Sequence, residues 1–526
     1  MGQLQPISND GPVNTQAKIV GISMALFAAF GGFLYGYDTG YISGIKEMPY
    51  WIQLFGDLDP NGKYYLTTAN DSLVTSILSA GTFTGALLAY PFGDFLGRRW
   101  GVIAACGVFS IGVIMQTAST SIPLFAVGRV FAGIGVGLTS CLIPMYQSEC
   151  SPKWIRGAVV ACYQWAITIG LLIAAVVVNS TKDFNNHSSY RIPVAIQLAW
   201  AFILSLGLFF LPESPKFLVL KGRERDAKAS LGRLLSLPVD SPQVLAEYTE
   251  VNEALKAEGT FGKSGYLECF KSGPSKHRLR TLTGMALQAL QQLTGINFIF
   301  YYGTTFFKNS NLPNPFTATI ITNVVNVVMT IPGIWLVDRA GRRPLLLYGA
   351  GLMCVCEFIV AIAGLKVDKN NLAGQHVLIA FVCIYIAGFA STWGPLAWVV
   401  TSEIYPLALR ATAMSLSTAS NWAMNFAIGY STPYLVDVGP GKAGLKSNVF
   451  FIWGACCALC GLFTFFFIPE TKGLSLEQVD QLYMNSSILG SNAYRQKLIS
   501  GQVGRWNNSV DSNLEDVRED KLNKIP

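Results

Sequence analysis

The sequence predicts an all-α membrane protein of twelve transmembrane helices in two six-helix bundles, with a cytosolic helical insert between them. Three observations carry this. Of the 526 residues, 51% are hydrophobic and 13% are charged, about half the charged fraction of a soluble chain. Twelve apolar stretches reach bilayer length, near 19–40, 71–93, 100–120, 122–145, 156–179, 192–211, 281–303, 316–337, 345–364, 376–400, 411–436 and 448–468. Three short motifs recur in the same order in both halves, at offsets of 244, 254 and 257 residues, the mark of an internal duplication.

The elements follow in chain order. Residues 1–17 are polar and have no basic-then-apolar leader; Pro6 stands where a myristoylation signal needs Ser or Thr. They are expected to form a cytosolic tail. Residues 18–211 hold spans one to six, with Asp94-Phe95-Leu96-Gly97-Arg98-Arg99 after span two, Glu149, Pro152 and Arg156 after span four, and Pro212-Glu213-Ser214 after span six. From 212 to 280 the chain turns polar. Residues 223–237 mix charge with Leu at helical spacing, and Ser241-Pro242 supplies an N-cap and first turn for a helix over 243–258. Residues 281–469 hold spans seven to twelve. Asp338-Arg339-Ala340-Gly341-Arg342-Arg343, then Glu403, Pro406 and Arg410, then Pro469-Glu470-Thr471 stand at the corresponding places. Residues 470–526 read as a flexible polar tail. Duplicated bundles of this kind place a substrate path between them.

Lys and Arg outnumber Asp and Glu by 38 to 31, and they concentrate in the paired-Arg loops, the insert and the tails. That distribution marks the inner side of a membrane and excludes a nucleic-acid surface, and it puts both termini in the cytosol. The eleven cysteines lie in apolar runs or predicted cytosolic segments, so a disulfide framework is not expected. His187, His277 and His376 are isolated from one another and from any cysteine pair, which speaks against a metal site. With no catalytic constellation either, neither an enzyme nor a cofactor is expected.

From about Lys18 to Leu474 the chain resembles the sugar-porter branch of the major facilitator superfamily. The resemblance rests on the paired Asp-x-x-Gly-Arg-Arg loops, Pro212-Glu213-Ser214-Pro215-Lys216, Pro469-Glu470-Thr471-Lys472-Gly473, and Gln291-Gln292-Leu293-Thr294-Gly295-Ile296-Asn297. Tyr35-Gly36-Tyr37-Asp38-Thr39-Gly40 and Ser402-Glu403-Ile404-Tyr405-Pro406 are similar to fungal and plant monosaccharide (hexose)/proton symporters. Two features depart from the pattern: Phe95 replaces the usual Arg, and the first outer loop lacks the cysteine of plant members. The resemblance implies the major facilitator fold and import of a monosaccharide, glucose or another hexose, with a proton by alternating access. It also implies a monomer in the plasma membrane that needs no cofactor. Its rivals on the same fold are a polyol or quinate carrier and a non-transporting sugar sensor; such sensors carry a longer cytosolic tail than the one read here. Asp38 speaks against a facilitator without a proton.

Three charged residues lie well inside spans: Asp38, Arg129 and Glu357. A charge at mid-membrane costs at least about 2.5–3.5 kcal/mol, so each needs a partner or a task. Asp38 and Arg129 are expected in one bundle, where the Arg favours the carboxylate and burial favours the neutral acid. The pair is a candidate proton site or, on the simpler account, a permanent structural ion pair. Glu357 is expected to be capped by a neighbouring helix or to lie near an interface, and takes no part in the site.

A sugar presents hydroxyls without charge, so its site wants amides and an aromatic face. Gln288, Gln291 and Gln292 share one helical face of span seven, while Asn297 would point away on an ideal helix; Gly295 between them predicts local unwinding. By resemblance the sugar contacts are Gln164, Gln291, Gln292, Asn297, Asn326, Trp398 and Asn421, and Tyr301 and Tyr302 form the outer gate. Any one amide alone would read as an interhelical hydrogen bond. The resemblance further implies a cytosolic latch of salt bridges between the bundles, drawn from Asp94, Arg98, Glu149, Arg156, Glu213, Asp338, Arg342, Glu403, Arg410 and Glu470. The plainer account of those residues is topological anchoring.

Overall fold

The computed structural model describes residues 15–60, 62–151, 155–258, 265–273, 275–309, 315–366 and 372–500. Span one is two helices, α1 (Thr15–Ala28) and α2 (Phe30–Ile45). A short helix α3 (Pro49–Phe55) and an antiparallel hairpin, β1 (Asp57–Leu58) with β2 (Tyr64–Tyr65), follow it, with Asp57 opposite Tyr65. Spans two to five are α4 (Thr68–Phe95), α5 (Arg98–Ala118), α6 (Ile122–Cys150) and α7 (Arg156–Thr181); span six is α8 (Ser188–Ala195) with α9 (Gln197–Phe210). The insert contributes α10 (Pro215–Leu220), α11 (Glu224–Leu235) and α12 (Pro242–Glu258). Span seven divides into α13 (His277–Leu293) and α14 (Ile296–Asn309), and α15 (Pro315–Ala340) and α16 (Arg342–Lys366) follow. Span ten divides into α17 (Leu372–Ser391) and α18 (Trp393–Glu403); α19 (Arg410–Val436) and α20 (Val449–Phe467) complete the twelve.

Among the described residues, nine helices are long and apolar enough to cross a membrane. The expected spans that miss that measure are one, seven and eleven. Spans one and seven are interrupted, and α19 carries Ser415, Ser417, Thr418, Asn421 and Asn425. The pieces of spans one and seven are therefore too short, and the polar side chains of α19 lower its hydropathy.

The packing repeats with the sequence. In the first bundle α2 packs on α7, α4 and α5 on α6, and α5 on α9; in the second α13 packs on α19, α15 and α16 on α17, and α16 on α20. These are the same span pairs shifted by six. The bundles meet along α4 with α19 and along α7 with α15, again a repeat-related pair. Close approach of α2 to α7 depends on small residues: a Cβ on Gly36 would stand 2.0 Å from the Ile167 carbonyl oxygen.

The recurring motifs are two halves of one clamp. Gly97 and Gly341 take φ of 88° and 99°, a region open to glycine, and turn the chain into α5 and α16. The exposed amides at those two helix starts point at a carboxylate from the end of the bundle's last span. Arg98 N donates to Glu213 Oε1 at 3.0 Å and Arg99 N at 3.2 Å; Arg342 N donates to Glu470 Oε1 at 3.1 Å and Arg343 N to Oε2 at 3.2 Å. Burial pushes the Glu213 carboxyl above the usual range, with backbone hydrogen bonds from Ser214 and Arg99 opposing it.

The flexible tail expected after 470 is overturned as far as residue 499. Ser475 and Gln478 form a reciprocal capping box that starts α21 (Leu476–Asn485), and α22 (Ser491–Ile499) follows. Leu476, Val479, Leu482 and Tyr483 are buried, a helical spacing that lets this segment dock where its average polarity reads as solvated.

Candidate functional site

At the centre of the interface α2, α7, α13, α14, α17 and α18 line a cavity of about 30 Å³, enough to admit water. Its polar lining is Thr39, Gln164, Gln291, Gln292 and Asn297, its rings are Tyr35, Phe300, Phe389 and Trp398, and Ile167, Leu171 and Ile296 complete it. No charged side chain is in that lining. The combination suits a neutral, hydroxyl-rich ligand: amides donate and accept together, and rings cover C–H faces.

Span seven supplies most of the amides because its helix breaks. α13 ends at Leu293, Gly295 takes φ of 82°, and the Trp453 ring fills the place a Cβ would need. The break turns Asn297 back toward the Gln face, where its Nδ2 donates to Gln292 Oε1. Gln292 Oε1 also accepts from Asn425 Nδ2 at 3.1 Å, and Asn425 Oδ1 accepts from Tyr301 Oη at 2.8 Å and, across the interface, from Ser79 Oγ at 2.6 Å. Gln291 Nε2 reaches the Gly394 carbonyl at 2.9 Å, and Trp398 Nε1 donates to Gln164 Oε1 of the other bundle at 3.2 Å. In this state the amides therefore satisfy one another, mostly within the second bundle; of the bonds named, those of Ser79 and Gln164 cross the interface.

Of the seven expected contact residues, Gln164, Gln291, Gln292, Asn297 and Trp398 line the cavity. Asn421 stands behind it, donating to Gln288 Oε1 at 2.7 Å and Gln291 Oε1 at 2.8 Å. Asn326 is fully buried on α15 with its amide unpartnered, outside the lining. Tyr35, Thr39, Phe300, Phe389 and Asn425 were missed. Asn425 was findable, one turn beyond Asn421 on the same face; Phe389 gives no signal in an apolar run.

Asp38 and Arg129 are both fully buried, but they do not form a direct ion pair. Arg129 Nη1 donates to Tyr41 Oη at 2.8 Å, and Tyr41 donates to Gln116 Oε1 at 2.6 Å. Both Asp38 carboxylate oxygens and Arg129 Nε and Nη2 lack a hydrogen-bond partner. Asp38 adjoins Thr39 of the cavity, so its carboxyl and the central site share a short stretch of α2.

Side chains bridge the bundles at both ends of the interface. At the end away from the paired-Arg loops, Tyr302 Oη donates to the Gly429 carbonyl at 2.7 Å and Ser43 Oγ meets Thr304 Oγ1 at 3.1 Å. Lys46 bonds Asp71 Oδ1 at 2.6 Å and lies over the Tyr302 ring at 4.0 Å. Glu47 spans the bundles, to Lys308 Nζ at 2.6 Å and Thr305 Oγ1 at 2.6 Å. Burial pushes the Glu47 carboxyl up, but the hydrogen bonds from Lys308 and Thr305 and the charges of Lys308 and Lys46 outweigh it, so the group sits below its usual range. Lys46, Glu47 and Lys308 were not anticipated from the sequence.

At the other end several of the expected latch residues pair within their own bundles. Arg98 pairs with Glu149 at 3.1 Å within the first bundle, and Arg342 pairs with Glu403 at 2.7 Å and Asp338 at 3.0 Å within the second. Asp94 pairs with Lys221 at 2.8 Å on the surface, and Arg410 Nη2 donates to the Tyr405 carbonyl at 3.1 Å. Glu213 and Glu470 are the clamp carboxylates, and Arg156 is buried at the start of α7. What Asp338 sends across the interface is a carboxylate oxygen on Ala158 N at 2.9 Å, held at the α7 N-terminus where partial positive charge collects. Each of these two Arg–Glu pairs joins the start of one span to the end of the next in the same bundle.

The comparisons agree with this architecture. The family profile described as "Sugar (and other) transporter" matches residues 24–483. The major facilitator-type transporter ecdD of Aspergillus rugulosus is 52% identical over 469 residues, covering 87% of this chain and 86% of its own. The probable glucose transporter rco-3 of Neurospora crassa is 46% identical, covering 88% and 79%. The high glucose sensor RGT2 of Saccharomyces cerevisiae is 42% identical over 90% of this chain and 62% of its own length. Among solved structures, the proton:xylose symporter XylE bound to 6-bromo-6-deoxy-D-glucose superposes with a TM-score of 0.77 at 28% identity, covering 88% of this chain and 99% of that one. With its repeated six-span packing, its interface cavity and a family match over most of its length, the chain belongs to the sugar transporter family of the major facilitator superfamily.

Proposed function

We propose that this protein imports a monosaccharide, glucose or another hexose, together with a proton by alternating access, acting as a monomer in the plasma membrane with both termini cytosolic. The observation that carries the substrate class is the cavity lining: Gln164, Gln291, Gln292, Asn297 and Trp398 converge from both bundles with no charge among them. Sugar binding replaces the amide–amide bonds of the closed state with amide–hydroxyl bonds, so closure around the ligand and closure without it are both accessible. Proton coupling rests on Asp38, a buried carboxyl beside the cavity within reach of Arg129's field. A sensor that binds sugar without flux is favoured by the similarity to RGT2.

Uptake of labelled hexoses, polyols and quinate in hexose-transport-null yeast, with and without a protonophore, separates these. The expected result is concentrative hexose uptake that the protonophore abolishes. Asp38→Asn, which keeps the shape but holds no exchangeable carboxyl proton, is expected to lose concentrative uptake while retaining exchange. Sugar binding without uptake by the parent assigns the sensor; full concentrative uptake by Asp38→Asn removes Asp38 from the coupling.

A further inference from the structure

Behind the break in span seven lies a carboxyl that neither the cavity nor the gates use. Glu357 on α16 is fully buried, a costly placement inside a membrane. Its Oε2 accepts from Cys457 Sγ on α20 at 3.2 Å, and its Oε1 has no partner. Tyr385 of α17 adjoins the same carboxyl.

The break itself explains why polar groups gather there. A helix that ends in the membrane leaves carbonyls without intrahelical donors, and each must find one. At the end of α13, Leu290 O is met by Cys460 Sγ at 3.5 Å, Gln291 O by Thr294 Oγ1 at 2.7 Å, and Thr294 O by Tyr385 Oη at 2.6 Å, with Cys457 Sγ 4.0 Å away. Tyr385 and Cys457 thus face the broken helix on one side and Glu357 on the other. The two sides of the break carry Gln292 and Asn297, whose side chains bond to each other across it.

We propose that Glu357 is a positioning residue for the central site: by accepting from Cys457 and flanking Tyr385, it fixes the packing around Tyr385, the donor that holds the freed Thr294 carbonyl. It thereby sets the angle between α13 and α14 and the spacing of Gln292 and Asn297. Its effect on sugar runs through that backbone and rests on the proposed sugar site, whereas its effect on the break does not. An uncharged acceptor of the same shape meets the need, which separates this role from a charge or proton role.

The test compares Glu357→Gln, Glu357→Leu, Tyr385→Phe and the Leu/Phe double variant by sugar uptake and by hydrogen–deuterium exchange of the purified protein over 288–300. Glu357→Gln is expected to keep the parent KM within about twofold. Glu357→Leu and Tyr385→Phe each lose one buried hydrogen bond and are expected to raise KM about five- to tenfold with a smaller change in kcat. The double variant is expected to match the worse single variant, because both act on one carbonyl. Exchange over 288–300 accelerates in both single variants while peptides of the first bundle are unchanged. Parent KM and unchanged exchange in Tyr385→Phe and Glu357→Leu overturn the proposal, as does a Glu357→Gln defect equal to that of Glu357→Leu. If Glu357→Leu fails to reach the membrane, Glu357→Gln and Tyr385→Phe still decide. If the parent moves no sugar, the sugar reading fails, and the exchange data alone judge the break.

Discussion

Glu47→Gln tests the outer gate. In the closed state Glu47 joins the end of α2 to Lys308 and Thr305 of α14, each at 2.6 Å. The Lys308 side chain is 57% exposed and that of Glu47 13%, so water screens the pair and its worth is about 0.5–1 kcal/mol. The Thr305 bond is charge-assisted in the parent and neutral in the variant, losing about another 0.5 kcal/mol. The sum, about 1–1.5 kcal/mol, shifts the balance toward the outer-open state by roughly five- to tenfold. Thr304→Cys behind the gate, in a background stripped of other reactive thiols, reports this through its rate of reaction with an impermeant maleimide. Glu47→Gln is expected to speed labelling about fivefold near neutral pH. The pH dependence has a definite sign. Because the closed state holds the Glu47 carboxyl below its ordinary value of 4.5, its stabilisation is complete above that value and is lost as the pH falls through the closed-state value. The ratio of variant to parent labelling therefore falls toward one in acid. Equal rates at neutral pH, or a ratio that does not change on acidification, refute the account.

Trp398→Ala and Gln292→Ala are expected to raise the KM for sugar about five- to thirtyfold without loss of surface protein, since each deletes a lining group; saturation uptake with surface biotinylation checks this. Glu403→Gln leaves Arg342, whose side chain is 3% exposed, with Asp338 as its remaining carboxylate partner. A loss of about 2–4 kcal/mol is expected, read as a lower Tm in detergent. Glu149→Gln is expected to lower Tm further, because Arg98 then loses its carboxylate partner and keeps neutral acceptors, the Gln amide oxygen and the Gly93 carbonyl at 3.1 Å.

The architecture was legible because lipid imposes it. Twelve apolar runs, the repeated loops and the glycine before Asn297 each follow from requirements that short stretches of sequence must meet locally. Long-range partners were not. The Glu403–Arg342 pair joins residues 61 apart, and nothing in either motif says which Arg a Glu will meet. Asp38 and Arg129 were correctly placed in one bundle, yet the intervening Tyr41 hydroxyl was invisible, since a tyrosine among apolar residues carries no sign of which hydrogen bond it will make. Phe389 and Phe300 became cavity walls only through the way two broken helices fold against each other.

The small central cavity also has an electrical consequence. At about 30 Å³ it holds little water, so much of the membrane voltage in this state drops across the packed interior around it. A charge carried through that drop changes energy by about 2.3 kcal/mol per 100 mV. A reorientation of the empty protein that moves Asp38, Arg129 or Glu357 across that drop would sense voltage in proportion to the net charge they carry. A transient current after a voltage step, in the absence of sugar, would count that charge directly.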